Sequence, residues 1–226
     1  MPGRLIPFAT NEIYHVFNRG IDHRPTFTDR NELRRSLEAI SYYRFTSPPI
    51  RLSKFLIQST EIREKLFEEL QLKNETLIDI LSFCLMPNHF HLLLRQKVDN
   101  GISKFIGNFQ NSFTRYFNTK HQRVGPLFLD QFKGVIIETD EQLLHVSRYI
   151  HLNPYTSYVV KNFDDLQNYP WSSLPEYISD KNGICDTETI LSNFKNKNTY
   201  KKFIEDQTDY QRKLHKIEHL LLEDNL

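Results

Sequence analysis

Two histidines separated by one residue form the most chemically suggestive feature of the sequence. His89 and His91 flank Phe90 and directly follow the turn-like stretch Met86-Pro87-Asn88. Because strand side chains alternate between the faces of a sheet, the two imidazoles share one face and Phe90 occupies the other. Two imidazoles a few ångströms apart can bind a metal ion together. The spacing also fits two polar residues at the solvent-exposed end of a hairpin, so it leaves both interpretations open.

The residue types around this pair indicate which metal ion would suit it. Zinc sites use further His, Cys or carboxylate ligands. Cys84 precedes the pair, but a lone buried cysteine is usually a core residue. Two imidazoles completed by oxygen ligands better suit Mg²⁺ or Mn²⁺ acting on a phosphate. We therefore expect Mg²⁺ or Mn²⁺ as the cofactor.

A second candidate feature is the helical segment HVSRYIHLNP, which spans residues 145–154. Tyr149 and Asn153 are four residues apart and lie on roughly the same helical face. Because a proline restrains the residue before it, Pro154 is predicted to end the helix with Asn153 at its cap. Spacing alone makes Tyr149 a packing residue, but beside a metal-binding pair its phenol could attack a phosphodiester and form a phosphotyrosine. The remaining histidines show no comparable spacing and are assigned no role: His15, His23, His121, His145, His151, His215 and His219.

The elements that must position these residues follow from hydrophobic periodicity and turn signals. Strands, the middle two forming a hairpin, are predicted at Glu12–Arg19, Ile78–Met86, His89–Gln96 and residues 132–138. Helices are predicted from Asp29 or Asn31 to Phe45, from Ser103 to Asn118, and from Thr139 or Asp140 to Pro154. This order predicts an α+β fold of the ferredoxin-like split βαβ type, an antiparallel sheet with helices on one face.

Two segments add to the predicted domain, which covers residues 1–160. A helical insertion occupies about residues 46–75, where acidic and basic residues mix at helical spacing. Residues 161–226 are predicted to form a C-terminal extension with an ordered loop at Tyr169–Ser173 and a charged helix. The apolar residues that indicate this helix are Phe203, Leu214, Ile217, Leu220 and Leu221.

Composition argues against several classes of protein. Of 226 residues, 39% are hydrophobic and 25% are charged, which is typical of a soluble globular protein. The longest apolar runs are too short to span a bilayer, and the first residues lack the apolar core of a secretory signal. Two cysteines cannot form a disulfide framework. We therefore expect a cytoplasmic protein without a membrane partner.

The net charge of +1 does not by itself indicate nucleic-acid binding, but the charge is unevenly distributed. Residues 101–135 carry five basic residues against Asp130 alone. The phenylalanines between them fall at helical core spacing, so we assign them to the core. The cations predicted to contact nucleic-acid phosphates are Arg115, Lys120, Arg123 and Lys133.

Four segments resemble single-tyrosine HUH transposases. Met86–Leu94, MPNHFHLLL, resembles their His-hydrophobic-His signature, and Arg148–Pro154, RYIHLNP, resembles the helix that carries their nucleophile. Tyr14–Gly20, YHVFNRG, and Tyr169–Ser173, YPWSS, resemble the branch of REP-associated tyrosine transposases. The resemblance covers about residues 12–177 and is interrupted by the insertion.

The resemblance implies roles for four residues. His89 and His91 would bind a divalent metal, with Asn153 as the third ligand. Tyr149 would attack single-stranded DNA near a hairpin and leave a 5′-phosphotyrosine and a free 3′-OH, and a 3′-OH of another strand would reverse the step. The expected protein is thus a DNA transposase, a metal-dependent single-strand endonuclease and strand transferase that acts on hairpin DNA as a monomer or homodimer.

One segment departs from the family pattern. Leu127–Lys133, LFLDQFK, resembles a family stretch that usually has arginine where this chain has Gln131. Lys133 retains a positive charge there. We therefore expect an altered DNA affinity or hairpin choice and unaltered chemistry.

Three alternatives remain open from the sequence. A domesticated, noncatalytic binder of DNA hairpins would have the same fold, and a metal-dependent phosphohydrolase would use water instead of a tyrosine. A ferredoxin-like RNA-binding module would stack bases on aromatic residues of the sheet, where this chain has a His pair. The presence of both histidines, the tyrosine and Asn153 favours the enzyme.

Overall fold

Four strands form one antiparallel sheet in the computed structural model, which describes residues 7–206. They are β1 (Ile13–Arg19), β2 (Ile78–Met86), β3 (His89–Gln96) and β4 (Lys133–Ile137). The strands lie side by side in the order β2-β3-β1-β4, and every neighbouring pair is antiparallel. The predicted α+β split βαβ class is confirmed, and both strands of the hairpin have the predicted bounds.

Helices connect and extend the sheet. They are α1 (Arg30–Tyr43), α2 (Leu52–Phe55), α3 (Thr60–Lys73), α4 (Gly101–Lys120), α5 (Asp140–Thr156), α6 (Phe163–Gln167), α7 (Leu174–Ile178), α8 (Glu188–Leu191) and α9 (Lys197–Glu205). The side chains of Asp29 and Thr139 accept hydrogen bonds from the first turns of α1 and α5, as their predicted capping roles require. Within residues 7–206, no helix is both long and apolar enough to cross a membrane.

The larger apolar core lies between one face of the sheet and the helices α1 and α4. Val16 and Phe90 point into it from the central strands. The phenylalanines of α4 are buried against them, and the rings of Phe90 and Phe109 meet edge to face at 5.2 Å. The core assignment of these aromatic residues is confirmed.

The prediction that the helices share one face is corrected by α5, which packs on the opposite face. Every residue of β2 except Asp79 is buried, so this strand needs a layer on both sides. Leu81, Cys84 and Met86 form the second core together with Ile150 of α5 and apolar residues of the C-terminal extension.

The predicted ordered loop, Tyr169–Ser173, packs against the outer edge of β2. The backbone N–H of Leu85 donates to the carbonyl of Trp171 at 2.8 Å, and Ser173 N–H donates to Phe83 O at 3.0 Å. The predicted charged helix is described only in part, as α9. Its predicted apolar residues Leu214, Ile217, Leu220 and Leu221 lie outside the described residues.

The end of α5 also differs from the prediction, because the helix continues past Pro154 to Thr156. A proline removes a single N–H donor, which a last helical turn tolerates when the following groups are bonded. Here Ser157 N–H donates to the carbonyl of Asn153 at 3.0 Å. Asn153 therefore lies within the helix and not at its cap.

Candidate active site

The central strand β3 places both histidines of the pair on the face covered by α5. In the register of the sheet, His91 lies between Phe17 of β1 and Cys84 of β2. The rings of His89 and His91 have centroids 5.0 Å apart and stand nearly perpendicular, at 85°. The prediction that His89 and His91 lie on the same face of the sheet is thus confirmed.

Helix α5 places Tyr149 against His91 of this pair. The centroid of its ring lies 5.3 Å from that of His91, in an edge-to-face arrangement. The Tyr149 side chain is half-buried and also packs against the second core. Two residues separated by 58 positions in the sequence, His91 and Tyr149, are therefore in contact.

A third histidine, His15 of β1, completes the cluster and was assigned no role from the sequence. Its Nε2 lies 3.0 Å from Nδ1 of His91, within hydrogen-bond distance, and its ring lies 6.0 Å from that of Tyr149. Strand alternation already separates His15 from the core residues Tyr14 and Val16. Only the pairing of β1 with β3 shows that it faces His91.

Burial keeps the imidazoles of His15 and His91 neutral near neutral pH. Burial lowers the pKa of His91 well below 6.5, and the neighbouring His89 and His15 lower it further. Burial likewise lowers the pKa of His15 to about 4. The neutral imidazole is the form that binds a metal ion, so His91 needs to lose no proton before it can coordinate near neutral pH.

The hydrogen bonds of the pair fit metal coordination through Nε2. Nδ1 of His89 lies 2.6 Å from Oδ1 of Asn88, and Nδ1 of His91 contacts His15. Metal-binding histidines commonly use their second nitrogen in this way, which fixes the ring. Among residues 7–206, no three His, Cys, Asp or Glu side chains are grouped to hold a metal. The choice of Mg²⁺ or Mn²⁺ therefore stays a prediction.

Two nearby residues differ in how well they fit a ligand role. Burial raises the pKa of the Cys84 thiol well above 9.0, so it stays protonated as the core residue predicted. Asn153 is buried one helical turn beyond Tyr149, and its Oδ1 accepts a hydrogen bond from Ser157 Oγ at 3.5 Å. Its role as the third metal ligand stays a prediction.

Comparison with known proteins identifies the family. The family model described as IS200-like transposase matches residues 41–153, which is 113 of the 226 residues. The chain belongs to the IS200-like transposase family. This match includes the His pair, Tyr149 and Asn153. No curated protein sequence matches the chain significantly.

A solved structure supports the fold of this transposase. It is described as a REP-associated tyrosine transposase bound to a REP hairpin, and it shares 13% sequence identity with this chain. The TM-score is 0.53, and the match covers 79% of this chain and 86% of that one. The likeness is one of fold.

The four cations predicted to contact DNA do not lie together in the transposase. Lys133 is exposed at the start of β4 opposite Phe17, on the face of the His pair. Arg115 is exposed on α4, beyond the other face. Lys120 forms ion pairs with Asp29 and Glu32. Arg123 lies in a loop, where its guanidinium donates to Asn118 Oδ1 at 2.7 Å. The structure does not bring the four together at one site, and their contact with DNA stays a prediction.

Arg19 is a cation near the site that sequence analysis missed. It lies opposite His89 in the register of β1 and β3, and its guanidinium is 2.8 Å from Nε2 of His23. Because opposed residues in antiparallel strands share a face, Arg19 and Lys133 border the His cluster from β1 and β4. The basic border of the candidate site thus comes from strands. The cations of α4 belong to a different surface.

Proposed function

We propose that this transposase cuts and rejoins single-stranded DNA near hairpins through a covalent 5′-phosphotyrosine on Tyr149, with Mg²⁺ or Mn²⁺ as cofactor. The contact between the Tyr149 and His91 rings, 5.3 Å apart, carries this proposal. It brings a phenol, which can act as a nucleophile, to the neutral imidazole of His91, beside His89 on the same face of the sheet.

The chain's own residues supply the nucleophile and hold it in place. The phenolic oxygen of Tyr149 attacks phosphorus, the bond between phosphorus and the 3′ oxygen breaks, and the phenol proton is lost while the departing 3′ oxygen gains one. The product is a 5′-phosphotyrosine and a free 3′-OH. Attack by the 3′-OH of another strand reverses these changes, so rejoining needs no external energy source.

His89, His91 and Asn153 would hold the cofactor. His15 would orient His91 through the hydrogen bond between His15 Nε2 and His91 Nδ1. A divalent ion at this position supplies Lewis-acid stabilisation of the charge that develops on the phosphoryl oxygens. Arg19 and Lys133 would bind flanking phosphates.

The relative of known structure supports the choice of DNA partner. That relative is bound to a REP hairpin. Because the two proteins share a fold over most of their lengths, we propose hairpin-containing single-stranded DNA as the partner of this chain too. The altered residue, Gln131, would change which hairpin is preferred.

The test is a pool of labelled single-stranded DNA hairpins incubated with protein and Mn²⁺, then separated on a denaturing gel. We expect a protein–DNA adduct that is lost with EDTA and in Tyr149→Phe. Tyr155→Phe, which removes a phenol from the same helix, is the matched control and should retain the adduct. Cleavage that persists in Tyr149→Phe would indicate water as nucleophile, and binding without cleavage would indicate a noncatalytic hairpin binder.

A further inference from the structure

A groove of about 990 Å³ lies on the outer side of α4, away from the sheet. One wall is the polar side of α4, and the other is formed by residues 46–53 at the start of the insertion, with the side chains of Arg35 and Tyr43 from α1. We call this surface the α4 groove. It lies beyond the α1 and α4 layer, whereas Tyr149 and the His pair lie on the opposite face of the sheet.

The charge of the α4 groove is entirely positive among the described residues that line it. Its cations are Arg35, Arg51, Lys104, Arg115 and Lys120. The last of these is already paired with carboxylates of α1 at one end of the groove. Arg51 and Arg115 are exposed, and neither forms an ion pair within residues 7–206. This surface concentrates cations in a protein whose net charge is only +1.

Arg35 gives a second, independent indication of a ligand. Its side chain is buried, with 9% of the residue exposed, and its guanidinium stacks over the ring of Tyr116 at 5.5 Å. Within the described part of the chain, its Nε is buried without a hydrogen-bond partner. Glu38, one turn further along α1, is the acid that attracts it electrostatically. A buried guanidinium whose hydrogen bonds are incomplete is costly, and an anion such as a phosphate in the adjoining groove would stabilise its charge.

The polar side of α4 repeats suitable donors along its length. Lys104, Asn108, Asn111 and Arg115 recur every three or four residues and all line the groove. They therefore form a stripe about 16 Å long, given the rise of 1.5 Å per residue. Ammonium, amide and guanidinium donors at regular intervals match a chain of phosphates better than a single small anion.

We infer that the α4 groove binds the sugar–phosphate backbone of DNA as a second site, separate from the strand at Tyr149. The inference rests on the proposed function for its choice of DNA over other polyanions. Because the two sites lie on opposite faces of the sheet, the groove holds a segment remote from the cleavage position. That segment is either a duplex stem or a single-stranded flank, which share the same backbone chemistry.

The test compares two double variants, each made in the Tyr149→Phe background so that chemistry does not affect binding. One is Arg51→Ala with Arg115→Ala, in the groove. The matched control is Lys65→Ala with Lys73→Ala, two exposed cations of the same insertion that do not line the groove. Fluorescence anisotropy at several salt concentrations measures the Kd of a labelled hairpin, and circular dichroism checks that both variants fold.

We expect the groove variant to bind about tenfold more weakly and to lower the slope of log Kd against log salt by about 1.8, which is about 0.9 for each phosphate that the protein no longer neutralises. The control should change neither value. Equal affinities and slopes for the two variants would overturn the inference, as would displacement of the hairpin by polyglutamate at an equal concentration of charge.

Two further arms identify the segment that is bound. A larger loss of affinity for a blunt duplex would assign the groove to the stem, and a larger loss for an unstructured strand would assign it to the flank. The proposed function is judged separately, by the adduct formed with the unmodified protein. If no adduct forms but the two double variants still differ in Kd, the proposed mechanism is contradicted and the inference about the α4 groove is retained.

Discussion

The two faces of the sheet differ in kind although they are built by the same strands. On the α1 and α4 face, Val16 and Phe90 are fully buried in a continuous apolar core. On the α5 face, the intervening positions carry His15 and His91 beside Tyr149. Adjacent residues of β1 and β3 therefore face opposite ways, one set into the apolar core and the other into the proposed active site.

Burial has a different consequence on each face. Removing apolar side chains from water stabilises the fold. Removing imidazoles from water instead disfavours their charged form, which leaves His15 and His91 neutral near neutral pH. The strands that support the core also fix the geometry of the candidate site, because β3 is an inner strand of the sheet and contributes residues to both of its faces.

The largest expected contrast is between two neighbours on β3. Phe90→Ala removes a fully buried ring and should lower the free energy of unfolding by about 3–5 kcal/mol. His89→Ala alters a half-buried residue on the other face and should change it by less than about 1 kcal/mol. The same His89→Ala should lower adduct formation by a factor of about 100 or more.

Urea unfolding and the adduct assay measure both quantities on the same two proteins. Phe90→Leu is the control for the core face, because it retains most of the apolar volume and should restore most of the stability. A His89→Ala variant that unfolds as easily as Phe90→Ala would show that the two faces are not separated in role.

His15 extends the contrast between the faces because it acts through His91. His15→Ala removes the partner of His91 Nδ1 and should weaken Mn²⁺ binding by about 10–100-fold. His15→Gln supplies an amide that can replace this hydrogen bond and should recover part of the affinity. Isothermal titration with Mn²⁺ reports the effect directly, and unchanged affinity in His15→Ala would remove the positioning role.

The two faces should also lose stability in different pH ranges. Burial lowers the pKa of His151 to about 3 and that of His15 to about 4, both below 6.5. The unfolded chain then binds more protons than the folded one, so the free energy of unfolding falls as pH drops below 6.5. Near α1 and α4, burial tends to raise the pKa of Glu32, but hydrogen bonds from Lys120, Thr28 and His121 outweigh it and hold the pKa below 4.5. That contribution is lost only at lower pH.

Urea unfolding at pH 7.5, 6.5, 5.5 and 4.5 checks this order. The ring of His151 is enclosed between the hydroxyls of Tyr200 and Ser173, both 2.7 Å away. His151→Gln should flatten the pH dependence between 6.5 and 4.5, whatever its effect on stability at pH 7.5. A slope equal to that of the unmodified protein would contradict the assignment.

The smallest expected effect is at Gly107, in the middle of α4. A Cβ built there meets nothing within 4 Å, so an alanine fits without strain. Gly107→Ala should raise the free energy of unfolding by about 0.5–1 kcal/mol, because glycine is a poor helix former. Thermal unfolding checks the sign, and destabilisation would mean that the helix needs glycine at this position.

The local sequence pattern was sufficient to predict much of the fold and part of the candidate site. The alternation of His89 to Gln96 and the Pro87-Asn88 turn predict both strands of the hairpin to the residue. They also place His89 and His91 on one face. The contact of His15 with His91 could not be predicted, because it depends on the pairing of β1 with β3 across 76 residues.

Two other features lie beyond local pattern for the same reason. The position of α5 on the second face depends on how both sides of β2 are covered, which periodicity does not report. The α4 groove forms only where residues 46–53 meet α4. Long-range packing decides both, so a window of sequence contains no signal for either.

The most direct test of the catalytic face is to locate the covalent bond. The protein is reacted with a hairpin substrate and Mn²⁺, digested with nuclease and protease, and analysed by mass spectrometry. We expect a nucleotide joined through its 5′ phosphate to the phenolic oxygen of Tyr149, beside the His pair. A nucleotide on another tyrosine, such as Tyr155 or Tyr158, or cleaved DNA without any modified tyrosine, would contradict the account.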